Sequence, residues 1–256
     1  MRKHILKRSA VFVLPCIAAA LWSVPGTLQA DQIEAHEGLS AAQHMVAITR
    51  GGLLYDSWFG ALGKEAPKET HPAYPTAGKQ KGATTWRCKE CHGWDYKGAA
   101  GAYAKGGRYT GITGIRNMTY ASEKAIVSTL KDKTHGFGTL IPDKDLEALA
   151  HFVSHGQVDV DAYIERATKK TKGDPARGER IFQTTCAHCH GSDGKQINFK
   201  TTADPEYIGT VANENPWEAL HKIRFGQPGV PMISMLAFDI KDHVDILAYI
   251  QTLPQK

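Results

Sequence analysis

The sequence predicts an all-α protein built of two small helical domains in tandem, the first expanded by a long loop. Three observations predict this. The pattern Cys-x-x-Cys-His occurs twice, as Cys88-Lys89-Glu90-Cys91-His92 and Cys186-Ala187-His188-Cys189-His190. Apolar residues around both copies recur at helical spacing. Aligning the halves on the two motifs also exposes a degenerate repeat. Arg50-Gly51-Gly52-Leu53-Leu54-Tyr55 matches Arg177-Gly178-Glu179-Arg180-Ile181-Phe182, and Leu149-Ala150-His151-Phe152 matches Leu247-Ala248-Tyr249-Ile250 within one position.

Residues 1–30 have the pattern of a secretory signal peptide: basic Arg2, Lys3, Lys7 and Arg8, apolar Ala10 to Val24, then a small residue, Ala30, suited to cleavage. Pro25 makes the stretch a poor membrane span, so membrane association is expected only if the leader stays uncleaved. Pro15, ahead of Cys16, sets aside lipid attachment there. Ser40-Ala41-Ala42-Gln43 has the capping-box pattern, and a helix is predicted from there to about Leu62, broken at Gly51-Gly52. Lys64 to Thr85, rich in Pro, Gly, Lys and Thr, is predicted to be a long surface loop. Trp86 leads into the first motif as the expected haem-contacting aromatic. The glycine-rich run from Gly93 to Gly114 is predicted to be irregular.

Ser122 to Lys131 is predicted as a short helix. Asp143 to His155 is a longer one, with Leu146, Leu149, Ala150 and Val153 on one face and Gly156 as its stop. The charged run to Gly173 contains the expected linker, 166–173. Asp174 then caps a helix that begins with Pro175 and buries Ile181 and Phe182. Asn215-Pro216-Trp217 starts another short helix. Asp239 to Thr252 is the last, with Ile240, Val244, Leu247 and Ala248 facing inward and Leu253-Pro254 ending it.

In each motif the two cysteines can form thioethers to haem vinyl groups while the adjacent histidine reaches the iron. Apart from Cys16, all the cysteines, Cys88, Cys91, Cys186 and Cys189, sit in these motifs, which leaves no thiol for a disulfide or a nucleophile. A zinc ribbon would use both pairs jointly, but they lie 98 positions apart and each has its own histidine. Two haem c groups are therefore expected, supplying apolar interior that domains this small would otherwise lack. The formal charge of +5 falls to +1 without the four leader cations. No basic stripe interleaved with aromatics remains, so nucleic acid is not an expected partner.

Each half resembles a class I c-type cytochrome, and the pair resembles dihaem electron-transfer cytochromes of the c4 type. In the second domain, 174–256, the resemblance covers nearly all of Asp174–Pro254. In the first half, 31–165, it fails between Tyr55 and Cys88, where 33 positions replace the four from Phe182 to Cys186. It implies His92 and His190 as proximal ligands. In single-haem relatives a methionine precedes the last helix by a fixed stretch. Met232 lies 17 positions before Tyr249, and His135 lies 17 before Phe152. Counted forward from the proximal histidines, the same two residues stand at 42 and 43. The first haem is thus expected to be His/His and the second His/Met, with Met118 competing for His135's place and Met235 for Met232's. His151, His155, His188, His221 and His243 are expected to be solvated or capping side chains.

The resemblance implies an exported, periplasmic electron carrier, not an enzyme, working between donor and acceptor proteins such as cytochromes, an oxidase or a reductase. The alternative is a dihaem redox enzyme of thiosulfate dehydrogenase or peroxidase type. The former uses a cysteine sulfur opposite histidine, and no cysteine remains for that role. The latter needs an iron that is open or can open.

Overall fold

The helix starts follow from side chains that satisfy the first free amides. At Ser40 the hydroxyl accepts the Gln43 amide at 3.3 Å while the Gln43 side chain accepts the Ser40 amide at 2.9 Å, the reciprocal capping box. The computed structural model describes residues 39–256, so the leader reading lies outside the described residues. The elements are α1 (Ala41–Leu62), α2 (Cys88–His92), α3 (Glu123–Leu130), α4 (Asp143–His151), α5 (Pro175–Ile181), α6 (Ala187–His190), α7 (Ile208–Glu214), α8 (Pro216–Phe225) and α9 (Ile240–Ile250). Ser122, Asp174 and Asn215 cap α3, α5 and α8 through their side chains. One π-helical turn, Phe152–Gly156, continues α4, and another, Phe182–Cys186, joins α5 to α6. Among the described residues there is no strand, only two isolated bridges. No described helix is long and apolar enough to cross a membrane.

Helix α1 runs straight through Gly51-Gly52, contrary to the expected break, and unwinds at Ser57 instead (φ −157°, ψ 96°). The Ser57 hydroxyl accepts the Gly60 amide at 3.4 Å, the contact by which an N-cap restarts a helix. The two glycines serve packing. A Cβ on Gly51 would lie 2.2 Å from the Ala148 carbonyl oxygen of α4, and one on Gly52 would lie 2.4 Å from the Phe225 ring of α8. The helix therefore admits a close neighbour on either side at a propensity cost of about 1 kcal/mol per glycine.

The α1/α4 crossing in the first half has a counterpart in α5/α9. A Cβ on Gly178 would lie 1.9 Å from the Asp245 carbonyl oxygen. Arg50 pairs with Asp145 at 2.7 Å, and Arg177 pairs with Asp242 and Asp245. Tyr55 and Phe182, aligned in the repeat, are both fully buried. The segment expected to be a linker is folded back on itself. Glu165 and Lys172 donate their amides to Lys170 and Tyr163, and Arg166 pairs with the buried Asp95 at 2.7 Å. Leu39–Lys256 accordingly forms one compact unit.

Candidate functional site

Short turns around the first motif aim two histidines into one cavity. His92 ends α2, and its Nδ1 lies 2.8 Å from the Thr113 carbonyl oxygen. That carbonyl is held in place because Gly98 bridges to Thr113 and Ile115 donates its amide to Tyr96 at 2.7 Å. Gly114 permits the approach, since a Cβ there would lie 2.0 Å from the Tyr96 oxygen. His135 is fixed from its own turn. Asp132 accepts the Thr134 and His135 amides at 2.8 Å and faces His135 Nδ1 at 3.2 Å. In both rings the Nδ1 position meets an oxygen, which leaves Nε2 for another partner.

The two rings face each other with centroids 6.4 Å apart and planes 17° from parallel. Between and around them lies a cavity of about 500 Å³, within the range of about 300–1,000 Å³ typical of cofactor sites. Cys88 and Cys91 stand in its wall, as do Ile126, Leu149 and Val153 from α3 and the α4 segment. Met118, the competing donor, is also a wall residue. Burial pulls His92 below its ordinary pKa, the Thr113 carbonyl opposes that, and His135 adds to it. The neutral, ligating form of the ring is therefore favoured.

The long segment after α1 closes the cavity on the His135 side. His71, Ala73, Thr85 and Trp86 all line it. The Trp86 indole donates to the Glu69 carbonyl at 2.8 Å, and its ring meets His71 edge-on at 4.3 Å. His71 accepts the Ala73 amide at Nδ1 (3.1 Å), so its Nε2–H donates to the His135 carbonyl at 3.1 Å. Its two nitrogens are thus spent on holding the His135 loop.

The two residues between the motif cysteines are buried in the first copy. Lys89 pairs with Glu90, which also takes Arg108 at 2.6 Å, and the Lys89 ammonium lies 4.9 Å from the Trp94 ring centre. Burial pulls Lys89 down to about 8 even against the pull of Glu90. Just upstream, Asp56 is fully buried between Arg87 and Lys222, the latter at 2.8 Å. Burial alone would raise its pKa, but Lys222 and Arg87 hold it down at about 2. Burial pushes the Cys88 and Cys91 thiols to about 12, far from a reactive thiolate.

The second motif is more open. Cys189 and His188 are exposed, Cys186 and His190 are half-buried, and His190 Nδ1 is a buried nitrogen without a hydrogen-bond partner in the structure. Met232 is half-buried in the loop between α8 and α9, its amide donating to Val230 at 2.8 Å. Met235 is buried in the core, its amide bonded to the Ile223 carbonyl and its own carbonyl 2.6 Å from His243 Nε2. Apolar side chains stand exposed on the two loops that follow α6 and α8: Ile197, Phe199, Val230, Ile233 and Phe238.

Haem fits both motifs. At the first, two near-parallel imidazoles, His92 and His135, line one cavity. The walls are apolar, and two cysteines lie beside the proximal histidine. At the second, the same Cys-x-x-Cys-His set is present, with His190 half-buried and its Nδ1 without a hydrogen-bond partner among the described residues. Comparison with known families bears on the second half of the chain. Residues 175–254 match the Cytochrome c family. The matched stretch runs from the start of α5 to just beyond α9 and contains the second motif. It supports haem of the c type and electron transfer as the chemistry of this cytochrome domain. A comparison with curated proteins finds no match.

Four of the histidines expected to be solvated or capping are not. His151, His221 and His243 are buried, and His155 is nearly so. His221 contacts Gly52 and Tyr96 from α8, His243 contacts Met235, and His151 contacts Glu123 and His44. Each lies on a helix face that a neighbouring element covers, which helical spacing alone does not reveal. His188 is exposed, as expected. The sequence reading also missed Thr113 and Asp132. The Asp132-x-x-His135 spacing carries a local signal for the second, because a turn carboxylate readily caps the residue three positions on.

Proposed function

We propose that the protein is an exported dihaem c-type cytochrome that carries single electrons between redox proteins in the periplasm. Cys88 and Cys91 would anchor one haem, with His92 and His135 holding its iron, and Cys186 and Cys189 the other, with His190 and Met232. The observation that carries this reading is the His92–His135 pair, facing across a cavity whose wall includes both motif cysteines. The doubled Arg-Gly helix crossing supports a second cytochrome-like half outside the matched residues.

When bound, the haem supplies one-electron cycling between ferric and ferrous iron. The chain's own part is to bias that cycle. Two imidazoles favour the ferric state, whereas methionine opposite histidine raises the potential, within an overall ligand range of about 0.8 V. The first centre is accordingly the lower in potential and the second the higher, which directs electrons from first to second. Thr113 and Asp132 orient the imidazoles of the first centre. The segment around His71 and Trp86 keeps water from it. The more open second motif, with its exposed apolar loops, is the side for docking a partner. Two ligands per iron leave no place for a substrate, which sets the enzyme alternative behind the carrier.

Low-temperature spin resonance of the ferric protein tests the ligand sets. Two low-spin species are expected, one His/His and one His/Met, with two haems per chain by pyridine haemochrome. Met232→Ala should abolish the His/Met species. A single haem, or a Met232→Ala spectrum identical to wild type, would overturn the assignment.

A further inference from the structure

A second cluster of ligating side chains lies outside both haem motifs. Glu123 at the start of α3, His151 at the end of α4 and His155 in the π-helical turn bring one donor atom each to within 4.8 Å of one another. Glu123 Oε1 stands 2.7 Å from His151 Nδ1 and 3.3 Å from His155 Nε2. On its other side His151 turns Nε2 to His44 Nδ1 at 2.8 Å, and the His44 ring packs edge-on at 4.6 Å. His151 is buried and His155 nearly so, while the Glu123 side chain is 35% exposed. Glu123 is thus the most exposed of the three.

We propose that Glu123, His151 and His155 bind a divalent transition-metal ion, zinc being the reference case, with His44 as the positioning residue behind His151. Two imidazoles and one carboxylate form a donor set that suits zinc and its first-row neighbours and disfavours magnesium or calcium, which take oxygen ligands. Two histidines four apart at the end of one helix, with a carboxylate from another, converge on a single ion without further backbone movement. With a metal at Nδ1, His151 donates its remaining N–H to His44, the outer contact that sets ring orientation and tautomer. These three are the candidate ligands among the described residues. On α4 and the π-helical turn that continues it, His151 and His155 each lie two positions from a residue that walls the first cavity, Leu149 and Val153, so the cluster lies on the other side of the helix. The site is distinct from the haem cavity yet braces two of the helices that enclose it.

Isothermal titration of the chelator-stripped, haem-loaded full chain with zinc chloride tests the site. One zinc ion per chain is expected, with imidazole scattering in the zinc-edge X-ray absorption spectrum. Glu123→Gln and His155→Ala should each weaken binding at least tenfold, and His44→Ala roughly ten- to a hundredfold. The haem absorption spectrum of each variant reports whether its fold is intact. No zinc bound by wild type at micromolar concentration would overturn the proposal. So would unchanged affinity in both ligand variants, because the ion would then be held elsewhere.

Discussion

Two oxygen atoms decide which nitrogen of each cavity histidine turns inward: the Thr113 carbonyl behind His92 and the Asp132 carboxylate behind His135. The two are not equivalent. A carboxylate draws the Nδ1 proton more strongly than a carbonyl does, which makes the opposite nitrogen a better donor to a metal. Asp132 also takes two backbone amides, and these contacts hold its pKa below the ordinary carboxylate value. It therefore stays charged throughout the neutral range. If the chain holds two haems as proposed, Asp132→Ala should raise the potential of the His92/His135 one, because ferric iron loses the stronger donor, and loosen the 132–135 turn. Spectroelectrochemical titration reads both potentials at once. Movement of the other haem, or a downward shift, would contradict this role. Met232 and Met235 show the same local logic. Met235 is buried in the core with both backbone groups bonded, while Met232 is half-buried in the loop between α8 and α9.

Among the elements, the paired crossings α1/α4 and α5/α9 matter most, since each brings two backbones to van der Waals limits at one glycine. At Gly51 and Gly178 an added methyl would sit 2.2 Å and 1.9 Å from a carbonyl oxygen of the facing helix, and backbone cannot rotate away as a side chain can. Gly51→Ala and Gly178→Ala should therefore each cost about 1–3 kcal/mol through overpacking, well above the small gain in helix propensity. Chemical denaturation measures this. A stabilising or neutral outcome at either position would show that the crossing yields. The sequence repeat had already aligned these residues as Arg-Gly pairs. What it did not show was that the glycine is there for the neighbour and not for a bend. A helix-breaking signal and a close-packing signal are the same letter, and only the position of another helix separates them.

At the scale of the whole molecule, the halves share a buried seam where α8 packs on α1. His221 lies at its centre, with Nε2 2.9 Å from the Gly52 carbonyl and Nδ1 2.8 Å from the Tyr96 hydroxyl. The rings of Trp94, Tyr55, Phe152 and Phe225 surround it at centroid distances of 4.8 to 5.9 Å. Burial depresses its pKa to about 3, so the ring is neutral and must donate from Nε2 to the carbonyl and accept from tyrosine. The unfolded chain takes up this proton near pH 6.5 and the folded one only near 3, so the unfolded state binds more protons between those values. Stability is therefore fully present above about pH 6.5 and is lost as the pH falls toward 3. His221→Gln should flatten the decline between pH 6.5 and 4 while lowering stability at pH 7 by about 1–3 kcal/mol, as one of two buried hydrogen bonds is lost. Thermal melts across this range distinguish the two effects. An unchanged acid slope would place the sensitivity at His92, His190 or His243, whose pKa values burial also lowers.

The sequence by itself determined the two Cys-x-x-Cys-His motifs, most helix starts and the place of His135 in the methionine's register. These are local or periodic properties: a thioether pair needs a fixed spacing, a cap needs a hydroxyl or carboxylate beside free amides, and a repeat keeps its count. The tertiary structure alone decided that His71 closes over the first cavity beside Trp86, that His221 joins the halves, and that Glu123, His151 and His155 converge. None of these has a signature along the chain, because each is made by residues from different elements meeting in a dry interior. Burial also changes what an imidazole or a carboxylate does, and burial belongs to the packed fold and not to the letter.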